Sequence, residues 1–163
     1  MTPRLFVFLV AFSLATTPSP AGADSQDVAM KEFESLATKN PQVTWVMAEM
    51  ASEEMQCATF YAVIYNCYKE GIEDKDKAAT KWTKESVKSL TDRASRHGQL
   101  GGVSAELLVA LGKKMAKEMM QKTQNSCTNI PTLAHDYVEV CKALVTNPVK
   151  RSSDLLTQAP APQ

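Results

Sequence analysis

Four cysteines, Cys57, Cys67, Cys127 and Cys141, are the side chains of this chain best suited to do chemistry. Thiols can carry redox equivalents, ligate metals or crosslink a fold, and their spacing separates these uses. The C-x-x-C pair of a thioredoxin-like centre is missing, which argues against dithiol catalysis. A zinc site would want close Cys and His pairs, and His97 and His135 show no such spacing. Crosslinking remains. Cys57 and Cys67 are ten residues apart in one predicted helix, hence roughly 15 Å apart along its axis. A disulfide needs Cα atoms within about 7 Å, so these two cannot pair with each other while the helix stands. Cys141 lies on the apolar face of the last long helix and Cys127 just before its start. If the two helices run antiparallel, Cys57 faces Cys141 and Cys67 faces Cys127. A parallel arrangement would exchange the partners. The antiparallel set is the predicted one.

Other residue types offer weaker chemistry. Met47 and Met50, and Met115 and Met119, sit on adjacent turns, where thioethers could hold Cu(I). Methionine also fills irregular gaps between helices, which is the simpler expectation. His135-Asp136 could suggest acid–base work, but neighbours on a helix point about 100° apart and no nucleophile accompanies them. No catalytic residue, metal site or cofactor is predicted. Phe60, Tyr61, Tyr65 and Tyr68 wrap around one helix, so either that helix is central or some of these rings form a binding face. Glu53-Glu54 and the Lys/Glu mixture of residues 69–88 read as solvated faces.

The elements that must position these groups are helices. Apolar residues repeat at three and four, and strand signals are almost absent. A short first helix is expected from Asp24 or Ser25 to about Thr38, with Val28, Phe33 and Leu36 inward. Asn40-Pro41 separates it from a second, running to about Tyr68 and ended by Gly71. Asp74 or Asp76 can cap a third, with Ala79, Trp82, Leu90 and Ala94 inward and a loop at His97-Gly98. Ser104 can cap a fourth, whose stripe is Leu108, Leu111, Met115 and Met119. Pro131 opens a fifth, carrying Ala134, Tyr137, Cys141 and Leu144, and Thr146-Asn147-Pro148 closes it. The expected fold is all-α: an up-down bundle of four main helices stapled by disulfides, plus the short N-terminal helix, over residues 24–149. Residues 150–163, ending APAPQ, read as a disordered tail.

The N-terminus predicts the compartment. Arg4, the apolar run Leu5 to Ala15 and Ala21-Gly22-Ala23 form a signal peptide over residues 1–23. The run is too short for a hydrocarbon core of ~30 Å and is broken by Pro18 and Pro20, so no stable membrane insertion is expected after cleavage. The remaining 140 residues make one domain, able to bury roughly 68 to 70% of its unfolded surface. Eighteen basic and eighteen acidic residues balance to zero, without the basic stripe of a nucleic-acid binder. No Asn-x-Ser/Thr sequon occurs, mild support for a bacterial periplasm.

Three short segments carry a family likeness: Cys57-Ala58-Thr59-Phe60-Tyr61, then Asn129-Ile130, then Tyr137-x-x-x-Cys141-Lys142-x-Leu144. Together they resemble a group of uncharacterised exported helical proteins of proteobacteria. Cys67 and Cys127 depart from that pattern. The resemblance implies export and a helical fold, and brings no activity or ligand. The functional expectation is a secreted or periplasmic, non-enzymatic protein that binds another protein of the cell envelope. The alternative is a carrier of a small ligand or soft metal such as copper in the bundle interior.

Overall fold

A computed structural model describes residues 20–71 and 77–161, with the side chains of residues 25–67 and 84–161. Among the described residues there are six α-helices and no strand. They are α1 (Pro20–Ser35), α2 (Pro41–Gly71), α3 (Lys77–Leu100), α4 (Ala105–Lys122), α5 (Ile130–Thr146) and α6 (Pro148–Leu156), with a 3-10 turn at Cys127–Asn129 leading into α5. The apolar run of the expected signal peptide lies outside the described residues, as do Asp74, Asp76 and the side chains of Tyr68, Ala79 and Trp82. The first helix runs across the Ala23–Asp24 bond at which cleavage is expected.

The 31-residue α2 is the axis of the molecule and touches every other helix. Its buried side chains include Val43, Val46, Met47, Met50, Ala51, Cys57, Ala58, Phe60, Tyr61, Val63 and Ile64. Such a set covers more than one face, as only a helix surrounded by others can bury. Two helix starts are satisfied as the sequence suggests. Asn40 Oδ1 accepts from Gln42 N at 2.9 Å, and Pro41 occupies the first turn of α2, where a missing N–H costs nothing. Ser104 Oγ accepts from Leu107 N at 3.2 Å at the start of α4.

Two disulfides staple this arrangement with the expected connectivity. Cys57 joins Cys141 with Cα atoms 5.2 Å apart, and Cys67 joins Cys127 at 5.4 Å. Pairing in that order means that α2 and α5 run antiparallel. Three expectations need correction. Helix α3 does not stop at His97-Gly98 but continues to Leu100, because Leu90, Ala94 and His97 extend one buried stripe. In α1 and the turn after it, Val28 and Leu36 face solvent, and Met30 and Ala37 are buried instead.

The third correction concerns the tail. Residues 148–156 form α6, capped by Asn147 Oδ1, which accepts from Lys150 N at 3.1 Å. Val149, Ser152 and Leu155 recur at three-residue spacing, and Ser152 and Leu155 are buried where α6 meets α1, α2 and α5. Beyond it, the Gln42 side-chain amide donates to Pro160 O at 3.3 Å. Composition alone averages a short stripe of this kind away.

One close approach sets the spacing of the α2–α3 pair. A Cβ placed on Gly101 would lie 2.4 Å from Ala48 N and 2.6 Å from Ala48 Cα, which is backbone rather than a yielding side chain. Gly101→Ala is therefore expected to destabilise the fold by about 1–3 kcal/mol through overpacking. Gly102→Ala meets nothing within 4 Å but must hold φ +72°, and should cost about 1 kcal/mol. Denaturant melts of the two variants check both values.

Candidate functional site

The most concentrated chemistry in the described structure is one that the sequence conceals. Glu34 of α1, Glu54 of α2 and Arg93, Arg96 and His97 of α3 converge between three helices. Each of the central three continues an apolar stripe: Glu34 lies between Met30 and Ala37, Glu54 between Met50 and Ala58, and His97 follows Leu90 and Ala94. Helical periodicity therefore carries a carboxylate, a second carboxylate and an imidazole into the interior together.

The imidazole of His97 is 0% exposed and engages a carboxylate at each nitrogen. Nδ1 lies 2.7 Å from Glu54 Oε2, and Nε2 lies 3.0 Å from Glu34 Oε1. A proton must occupy each of these gaps, since two acceptors facing one another repel. Arg93 supplies further positive charge, with Nε 2.9 Å from Glu54 Oε1. That N–H points off the oxygen, so the contact is an ion pair without a directed hydrogen bond. The same guanidinium donates from Nη2 to Leu144 O at 2.8 Å and ties α5 to the cluster. Arg96 Nε lies 3.0 Å from Glu34 Oε1, half-exposed at the rim.

A histidine between carboxylates is a familiar acid–base arrangement, but a general base needs a nitrogen that a substrate can reach. Here both nitrogens are occupied and enclosed, so the cluster orients helices instead. Glu53, next along α2, does similar work on another side. Arg151 of α6 donates from Nε to Glu53 Oε2 at 2.7 Å and from Nη2 to Glu53 Oε1. Those hydrogen bonds push the Arg151 guanidinium still further towards its charged form. Glu53-Glu54, expected on a solvated face, is thus divided between two buried or half-buried ion pairs. The cause is the central place of α2, which leaves it little solvent-facing surface.

Of the two readings of the aromatic residues on α2, a central helix or a binding face, the burial of Phe60 and Tyr61 fits the first. Phe60 and Tyr61 are buried in the core, Tyr65 is half-buried, and the side chain of Tyr68 lies outside the described residues. The ring of Phe60 packs 5.3 Å from that of Tyr61 and 5.4 Å from that of Tyr137, centroid to centroid. Phe60 and Tyr61 therefore lie inside the fold, with Phe60 packed on Tyr137 across the α2–α5 interface. Burial raises the Tyr61 phenol to about 12 from 10.0. Met47, Met50 and Met119 are likewise enclosed in the core.

His135 is 91% exposed, 3.4 Å from Asp136 Oδ1. Lys122 Nζ donates to Asp136 Oδ2 at 3.0 Å and stands 5.7 Å over the Tyr137 ring. The Lys122 hydrogen bond, helped by His135, holds the Asp136 carboxyl below its usual range. No three His, Cys, Asp or Glu side chains among the described residues converge to hold a metal ion. Large apolar side chains also reach solvent: Leu107 (60%), Val109 (52%) and Met120 on α4 and Val140 on α5, besides Val28 and Leu36 near the N-terminus. Val109 and Met120 are eleven residues, about three turns, apart and share a face with Lys113 between them. Their spacing was legible in the sequence, but exposure was not, because apolar periodicity does not say which stripe finds a neighbour.

Comparison with protein-family models, with curated proteins and with solved structures finds no match.

Two expectations follow. His97→Leu and Glu54→Leu should each lower stability by about 3–5 kcal/mol, because each removes one partner from a buried ionic contact. The double variant should lose less than their sum, with a coupling of about 1–3 kcal/mol in a double-mutant cycle. For Tyr61, the unfolded phenol releases its proton near pH 10 while the folded one keeps it to about 12. Stability must therefore be intact below pH 10 and fall as pH rises through 12, by on the order of 2 kcal/mol. Tyr61→Phe should flatten that alkaline slope in chemical-denaturation curves taken across the window.

Proposed function

We propose that this chain is an exported helical protein that acts, without catalysis, by binding another protein of the cell envelope or the extracellular space. We place it with the exported proteobacterial proteins that its Cys57–Tyr61 and Tyr137–Leu144 segments resemble. Two disulfides join helices far apart in the chain, and such bonds persist where the surroundings are oxidising. No helix among the described residues is long and apolar enough to cross a membrane. The disulfides are consistent with an extracellular setting.

The observation that carries the binding reading is the outer surface of α4. Val109 and Met120 stand exposed on one face with Lys113, and Leu107 lies further round the helix. Lys113 and Lys117 are exposed on that side, while the buried ionisable side chains are paired inside the fold. Crosslinked helices hold such a surface in one shape, which lowers the entropy lost on association.

The test is affinity isolation from the envelope and secreted fractions of the source cells, using the oxidised chain. A stoichiometric protein partner is expected for the native sequence. It should be lost on Val109→Asp with Met120→Asp, two exposed positions at which helicity and melting should barely change. Native mass spectrometry of the isolated material distinguishes a protein partner from a small-molecule or copper cargo. A stoichiometric cargo with no protein would overturn the reading, and so would retention of the partner by the doubly charged variant.

A further inference from the structure

We infer that Cys67–Cys127 is a thiol–disulfide exchange site, opened by an external dithiol at Cys127 while Cys57–Cys141 stays closed. The inference does not rest on the binding role, only on where the two bridges lie. Cys57 and Cys141 are 1% and 0% exposed and belong to the hydrophobic core. A thiolate must approach a disulfide sulfur directly, so this bond reacts only after the α2–α5 interface opens. Cys127 is exposed, in a short 3-10 turn outside any long helix, and Cys67 is half-buried one turn before α2 ends.

The turn that carries Cys127 is held by contacts of its own. Gln124 and Asn125 hold φ of 54° and 55°, reversing the chain after α4. Asn125 N donates to Met120 O at 2.8 Å, and Asn129 Nδ2 donates to Thr123 O at 3.0 Å. Ser126 and Thr128 share a hydroxyl hydrogen bond at 2.8 Å, flanking Cys127. These contacts are independent of the bridge and fix its outer half at the surface.

The step balances as follows. A reductant thiolate attacks Cys127 Sγ, forming a mixed disulfide and expelling Cys67 as a thiolate, which takes a proton from water. The reductant's second thiol then attacks the mixed disulfide, releasing Cys127 and leaving the reductant as its own disulfide. The protein gains two electrons and two protons. Cys141 lies fourteen residues beyond Cys127, about 20 Å of helix, so the core bridge still pins α5 to α2. The product is a folded dithiol in which the α4–α5 connection is no longer tied to the end of α2.

Timed reduction of the oxidised full chain with millimolar dithiothreitol, quenched with iodoacetamide and mapped by peptide mass, tests this. Alkylation of Cys67 and Cys127 should precede that of Cys57 and Cys141 by at least ~10-fold in rate. The two-thiol species should accumulate with native helicity. A C-x-x-C oxidoreductase lacking its resolving cysteine should be trapped as a mixed disulfide on Cys127. Opening of both bridges together, opening of the core bridge first, or trapping on Cys67 would each overturn the inference. The Cys67→Ser/Cys127→Ser variant separates exchange from unfolding. Its core bridge should open as slowly as in the native chain, and rapid opening would show that the outer bridge merely guards the inner one.

Discussion

The contact on which the rest of the packing depends is that of His97 with Glu54, two fully buried ionisable groups held 2.7 Å apart on α3 and α2. Removing two such groups from water is costly unless each finds a partner, and a displacement of an ångström or two would leave charges stranded in an apolar interior. The pairing therefore tolerates one register of α3 on α2. Glu34 extends the constraint to α1 through the second imidazole nitrogen, and Arg93 extends it to α5 through the Leu144 carbonyl. Apolar surfaces alone could slide past one another with little loss. Gly101 enforces the same register sterically, by letting the end of α3 touch the α2 backbone at Ala48.

The disulfides act on a different quantity. Each closes a long loop, of 84 residues for Cys57–Cys141 and 60 for Cys67–Cys127, and so restricts the unfolded chain more than it changes the folded one. One bridge lies inside the hydrophobic core and the other at the surface, so their shared role in stability hides unequal access to reagents. The ion cluster sets which side chains meet, while the bridges limit how far the chain can separate.

Some of the arrangement was readable from the residues. The helix starts at Pro41 and Ser104 follow from capping chemistry, and the α4 stripe Leu108, Leu111, Met115 and Met119, of which the first and last are buried, from helical spacing. The disulfide pairing followed from the rise per residue once an antiparallel order was assumed. The polar cluster was not recognised, although Glu34, Glu54 and His97 each continue an apolar stripe. A charged residue on such a stripe reads equally as the edge of a face, and only the facing helices supply the partner that makes burial tolerable. The α6 segment failed for a related reason: nine residues with three inward positions cannot hold a helix alone, and it forms against surfaces offered by α1, α2 and α5.

By itself the sequence determined the all-helical character, the starts of α2, α4 and α5, and the exclusion of a Cys57–Cys67 bridge. Those depend on local hydrogen bonding, on fixed helical geometry, and on distances counted along one helix. Tertiary structure alone decided that Phe60 and Tyr61 are core rather than surface, that Glu54 and His97 meet, and that Cys127 faces solvent while Cys141 does not. Burial is a property of what lies opposite a residue, and residues far apart in the chain become opposite only when the helices pack.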